Sequence, residues 1–242
     1  MSRNTIRTIL AAAACAAVAA EPASAAGVTA NGQFTTNYVL RGISQSANRP
    51  AVQGGLDYDT GVGITLGTWV SSLDFGDDTP LEWDIYGAYN FMLGPLNASI
   101  GGIGYIYPYS GNFGPYNYFE FTGTLAYDFK VAQWSAKFFG DPFDLPSGFL
   151  DIKGVNPNHE YWMTTGLTVP VAPWISFSGN IGYLAYSGPG TTNYTEWDLG
   201  ATLTYDKYAL DLRYIDTSEN AGFGPWFATG PFYVATLTFR FP

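Results

Sequence analysis

Acidic and basic side chains recur on one parity of segments that are otherwise rich in aromatic residues. Asp57, Glu82, Asp84, Glu120, Glu160, Glu196, Asp198 and Asp211 share that parity with Gln53, and against them stand Arg41, Lys137, Arg213 and Arg240. Carboxylates dominate, so if this face lines a water-filled path its walls concentrate cations and repel anions. Other chemistries lack their residues. His159 is the sole histidine, and a metal centre needs several nitrogen, sulfur or carboxylate ligands at suitable spacing. A serine two residues past it on the same strand face could make a lipid hydrolase, but Tyr161 stands there. No nucleophile and base are paired, so neither catalysis nor a cofactor is expected. Asp74, Asp77 and Asp78 gather beside Gly76, but their spacing is not that of a calcium loop. They read as a solvated acidic loop.

What must position these charges is set by composition and periodicity. The chain is 17% aromatic and carries 29 glycines, yet only 12% of its residues are charged, about half the usual share of roughly 25%. Mean hydropathy sits near zero, as it does when lipid-facing and water-facing residues alternate. Past the leader, no stretch approaches the roughly 18 apolar residues of a membrane-spanning helix. The leader itself has three parts: Arg3 and Arg7, an apolar run from Ile9 to Ala20, and Ala23-Ser24-Ala25 as a small-x-small cleavage site. Residues 1–25 are therefore expected to be a signal peptide and 26–242 one domain. Cys15, the only cysteine, leaves with the leader, which excludes disulfides and zinc thiolates from the mature chain. Without Arg3, Arg7 and Glu21 there remain 8 basic and 19 acidic residues, a net charge of −11 that argues against nucleic acid as a partner.

Period-two alternation predicts an all-β fold. Trp197, Leu199, Ala201, Leu203 and Tyr205 alternate with Glu196, Asp198, Gly200, Thr202 and Thr204. From residue 31 to 41, Gly32, Phe34, Thr36, Tyr38 and Leu40 form one row, and Asn31, Gln33, Thr35, Asn37, Val39 and Arg41 the other, whose polar face only Val39 breaks. Twelve such segments are expected, near 31–41, 50–58, 62–71, 81–92, 96–107, 116–128, 131–140, 159–169, 174–186, 194–205, 207–215 and 231–241. The fifth is the least clear, because Ile100 and Ile103 fall on opposite parities. Every even segment ends in a short turn, such as Gly94-Pro95 or Pro170-Val171-Ala172-Pro173, and the odd ones end in longer stretches. That rhythm is how transmembrane up-and-down barrels are built, with periplasmic turns and extracellular loops. Rows ending in Trp83 and Phe91, or Trp134 and Phe138, suit two interfacial aromatic girdles. A soluble β-sandwich would also alternate, but would not need large aromatics on one parity of nearly every strand.

One block is specific. Asn37-Tyr38-Val39-Leu40-Arg41-Gly42-Ile43-Ser44-Gln45-Ser46 continues into Pro50–Tyr58, and Gly67-Thr68-Trp69-Val70-Ser71-Ser72 and Glu82-Trp83-Asp84-Ile85-Tyr86-Gly87 follow. Together these resemble a proteobacterial outer-membrane family, the TorF-type porins or Gcw_chp proteins, over roughly residues 30 to 90. The resemblance implies an outer-membrane location in a Gram-negative bacterium and passive passage of small polar or cationic solutes. The alternative is a closed barrel with a structural or adhesive role through its loops. Arg41, at the end of the first segment, is suited to clamp Asp57 or loop carbonyls. Phe143, Pro146, Phe149 and Leu150 make the fourth loop apolar enough to fold inward as a plug. Neither solute identity nor oligomeric state is legible.

Overall fold

The computed structural model of the chain describes residues 26–108, 117–141, 160–186, 192–219 and 226–241. Its strands are β1 (Gly27–Thr35), β2 (Val39–Leu40), β3 (Ile43–Ser44), β4 (Ala51–Asp59), β5 (Ile64–Ser72), β6 (Leu81–Leu93) and β7 (Leu96–Ile106). They continue as β8 (Tyr118–Asp128), β9 (Gln133–Gly140), β10 (Glu160–Ala172), β11 (Ile175–Tyr186), β12 (Tyr194–Tyr205), β13 (Tyr208–Thr217) and β14 (Phe232–Phe241). Twelve of these close into one antiparallel barrel, and β2–β3 form a separate small hairpin. The seam pairs β1 with β14, from Ala30 opposite Phe241 to Thr35 opposite Thr236. Hydrocarbon offers backbone amides no partner, so a sheet immersed in it must pair its last strand with its first.

The outward row is apolar and exposed: Val52, Leu56, Ile100, Met163, Leu167, Ile181 and Leu199 all project from the wall. In water so large an apolar surface would associate, whereas in a membrane it is the lipid-facing band. Aromatic side chains edge it at both ends, with Trp83 and Tyr233 at one and Phe129, Trp174 and Tyr205 at the other. The indole N–H of Trp83 donates to Thr68 Oγ1 at 2.7 Å, and that of Trp134 to Thr165 Oγ1 at 2.9 Å. Each ring thus meets lipid without orphaning its polar atom. Leu199 lies midway along β12, so Leu199→Arg is expected to cost about 2–4 kcal/mol, as a cation near the bilayer midplane does. Urea titration of the protein in lipid vesicles would read it, and an unchanged midpoint would mean that this face does not meet lipid.

Short turns at 60–63, 94–95, 129–132, 173–174 and 206–207 lie at one end, and the strand ends that lead into the longer connections lie at the other. The long-loop end is the outer end. Two strands differ from the sequence expectation by more than two residues. β10 runs on to Ala172, with a register shift between Pro170 and Ala172. Proline has no N–H for the ladder, and the strand bulges there instead of turning. The first strand, expected over 31–41, spans 27–35. Thr35 Oγ1 donates to the Asn37 carbonyl at 2.9 Å, and the Asn37 side-chain oxygen accepts from Ser44 and Ser46, so the chain turns inward. Such local side-chain bonds compete with the ladder and end it. The parity puzzle of the fifth segment also resolves. Ile100 faces out, and Ile103 joins a buried cluster with Trp69, Tyr86, Tyr105, Tyr107 and Phe139 inside the barrel.

Candidate functional site

The first loop lies inside the outer mouth. β2 and β3 pair Val39 with Ser44 and Leu40 with Ile43, which leaves Arg41-Gly42 as a two-residue turn. Both have positive φ, 51° and 77°, as a type I′ hairpin turn requires. The loop is knit from within. Ser44 Oγ donates to Asn37 Oδ1 at 2.7 Å, Ser46 Oγ accepts from the Tyr38 N–H at 2.9 Å, and the Gln45 N–H donates to the Tyr38 carbonyl at 2.7 Å. These are the residues of the Asn37–Ser46 block, so that block encodes a hairpin. Neighbouring loops grip it as well: the Ser44 N–H donates to the Ala228 carbonyl and the Asp74 N–H to the Gln45 carbonyl.

The tip carries Arg41 across the bore. Its guanidinium donates in a fork to Glu120, at 2.9 and 2.6 Å, and also to Glu160. The rings of Phe139 and Trp162 stand 5.5 and 5.0 Å from its central carbon. Tyr194 Oη donates to the Arg41 carbonyl at 2.9 Å. A second anchor is Tyr38, whose hydroxyl meets Glu82 at 2.6 Å, while Tyr107 meets the other oxygen of Glu82 at 2.7 Å. Glu82, Glu120, Glu160 and Glu196 all sit within the first three residues of inward-running strands, β6, β8, β10 and β12. They make a carboxylate ring at the outer mouth into which the hairpin drops one cation.

Arg41 therefore lies neither on a strand nor beside Asp57. Asp57 instead accepts from Tyr86 Oη at 2.6 Å. Tyr38, expected on the outward row, is buried inside at 2% exposure because β1 ends before it. Tandem positive φ at Arg41-Gly42 was the overlooked signal. In strand periodicity Arg-Gly looks like two more ladder residues, although Gly after a polar residue is a turn pair.

Lower in the barrel a second cluster crosses β11, β12 and β13. Arg213 bonds to Asp198, to both oxygens of Asp211 at 3.0 Å, and to Ser178 Oγ at 2.8 Å. Asn180 supports Asp198, and Thr202 supports Asp211. The other expected residues are dispersed. Gln53 donates to Ser71 Oγ at 2.9 Å. Lys137 lies opposite Thr124 and Thr164, and Arg240 opposite Asn31. Asp84 is buried, with an Oδ1 that has no hydrogen-bond partner among the described residues. Below the hairpin the inward rows of β8 to β11 carry small residues: Thr124, Ser135, Thr164, Gly166, Thr168 and Ser178 are all half-exposed. The apolar residues expected to plug from the fourth loop, like His159 and the leader, lie outside the described residues.

Burial opposes the Arg41 charge, but the adjacent Glu120 and Glu160 carboxylates outweigh it and hold its pKa well above the ordinary value. Burial, aided by Glu82, likewise pushes Tyr107 up. A group whose folded pKa is raised contributes fully below its unfolded value, which is about 10 for tyrosine and higher still for arginine, and loses that contribution as the pH rises from there through its folded value. Raising the pH from about 7 to about 10 is therefore expected to leave the hairpin seated. Unchanged protease resistance of the first loop would register this, and release by pH 9 would contradict the assignment of Arg41 as the latch.

A family model described as "Bacterial protein of unknown function (Gcw_chp)" matches residues 19–231. No curated protein is significantly similar in sequence. Among solved structures, the barrel is similar to the NanC porin, with a TM-score of 0.55 at 7% identity over 88% of this chain and 98% of that one. It is similar also to the KdgM porin, with a TM-score of 0.54 at 8% identity over the same shares. At such identities the likeness is one of fold: a twelve-stranded, porin-type barrel.

Proposed function

The chain belongs to the Gcw_chp family of bacterial proteins, and from that premise and the porin-type fold we propose a Gram-negative outer-membrane channel for small polar or cationic solutes. The family match extends well past residues 30 to 90, where the sequence blocks suggested it. One observation carries the reading. Beneath the hairpin strands β8 to β11 present small, half-exposed side chains, which leaves that side of the bore lightly filled. Barrels of eight strands are packed by their own side chains and those of sixteen hold open water; twelve lies between. Here a separate segment supplies the closure. Among the charged residues of the inward rows carboxylates outnumber cations, and such a wall favours cation passage.

A second reading has its own support. Three outer loops bond to one another over the mouth, which suits a closed barrel presenting a rigid surface to partners. Planar-bilayer recording separates the two. The channel reading expects small, reproducible currents whose reversal potential under a potassium chloride gradient has the cation-selective sign. No current from folded protein, with or without the hairpin, would favour the closed barrel. An anion-selective sign would remove the cation preference alone.

A further inference from the structure

The surroundings of Arg41 differ from those of an ordinary wall salt bridge. Arg213 joins carboxylates of its own strand and the adjacent one, in the manner of a sheet staple. Arg41 arrives from a hairpin and enters a cage that the wall builds without it. Tyr105 Oη donates to Glu120 at 2.9 Å. Phe139 and Trp162 pack together with ring centroids 5.1 Å apart, and the Trp162 N–H reaches Glu196 at 3.3 Å. An oriented carboxylate, Glu160 beside it and two aromatic rings are thus presented by strands β7 to β12, and what they bind is the planar head of a side chain from elsewhere in the chain.

We infer that this cage is a binding site for guanidinium-bearing solutes, and that Arg41 occupies it as a built-in competitor. The chemistry selects the head group. A fork of N–H donors matches both oxygens of Glu120 while a further N–H serves Glu160, and the flat faces meet aromatic rings. A compact ammonium cannot span both carboxylates and lie flat as well. The inference deepens the channel reading, on which its transport meaning rests: a guanidinium solute displaces the Arg41 head, the hairpin loses its principal latch, and the mouth opens to the class of solute that displaced it. Binding itself requires no current.

The test uses the full chain carrying Arg41→Ala, folded in detergent and in bilayers, with methylguanidinium chloride at millimolar concentration as the probe. Calorimetry is expected to detect methylguanidinium, with methylammonium at least about tenfold weaker because it lacks the fork. Adding Glu120→Gln and Glu160→Gln to the variant is expected to abolish the binding. In bilayers the same probe is expected to leave Arg41→Ala currents without a rise, because that hairpin is already unlatched. In the unaltered protein it is expected to raise the current by displacing Arg41. Should Arg41→Ala fail to fold, a chain with residues 37–48 replaced by a glycine-serine linker is titrated instead. Equal binding of both cations, or binding that survives loss of both carboxylates, overturns the inference. Heat of binding without current keeps the cage and removes the channel, and current without binding does the reverse.

Discussion

Arg41→Ala is expected to raise bilayer conductance several-fold and to destabilise the outer end of the barrel. The substitution removes the fork on Glu120, the bond to Glu160 and the cation between Phe139 and Trp162. Glu120 is 1% exposed, so its charge has no water to turn to. Breaking a buried pair by deleting one partner costs about 3–5 kcal/mol, because the remaining charge is left uncompensated. The hairpin then keeps only the Tyr38, Tyr194 and loop contacts. Arg41→Lys should recover little, since an ammonium cannot reproduce the fork. Single-channel recording together with the mobility of unheated protein on denaturing gels would read both effects. Unaltered conductance with a lowered stability would make Arg41 a staple of the wall and not a latch.

The second large effect is expected from Gly42→Val, which changes no charge. Gly42 has a φ of 77°, and a Cβ there would run into the Thr217 methyl group and within 3.1 Å of Glu196 Cβ. A β-branched residue held at positive φ costs on the order of 1–3 kcal/mol before any clash is counted. The wall cannot yield cheaply, because Thr217 ends β13 and Glu196 lies three residues into β12. The hairpin should therefore leave the bore while Arg41, Glu120 and Glu160 all remain in the chain. Conductance is expected to approach that of Arg41→Ala. If Arg41→Ala opens the pore and Gly42→Val does not, the electrostatic environment and not the hairpin's volume controls passage.

Much of this was legible in the residues because a barrel wall writes its two environments into alternate positions. The two rows could be read at β12 from Trp197 and Leu199 against Glu196 and Asp198, and the turn-and-loop rhythm marked which strand ends carry the long connections. What periodicity could not give was the destination of the first loop. Asn37 to Leu40 keeps the alternation of a strand, yet Asn37, Ser44 and Ser46 spend their polar atoms on one another. That choice depends on a bore wide enough to accept the hairpin, which belongs to strands far along the chain. Nor could spacing show that Arg41 meets Glu120 and Glu160, since each pair is joined only by closure of the cylinder. The charged rows were visible; who pairs with whom was not.

The reach of Arg41 also orders events during biogenesis. Its partners lie 79 and 119 residues downstream, and the hairpin's neighbour Ala228 lies in the segment that leads into the final strand. No assembly intermediate lacking β8, β10 or the segment before β14 can hold the hairpin as the finished cylinder does. The nascent sheet must therefore meet the assembly machinery unstoppered, and the stopper seats only once the wall is whole.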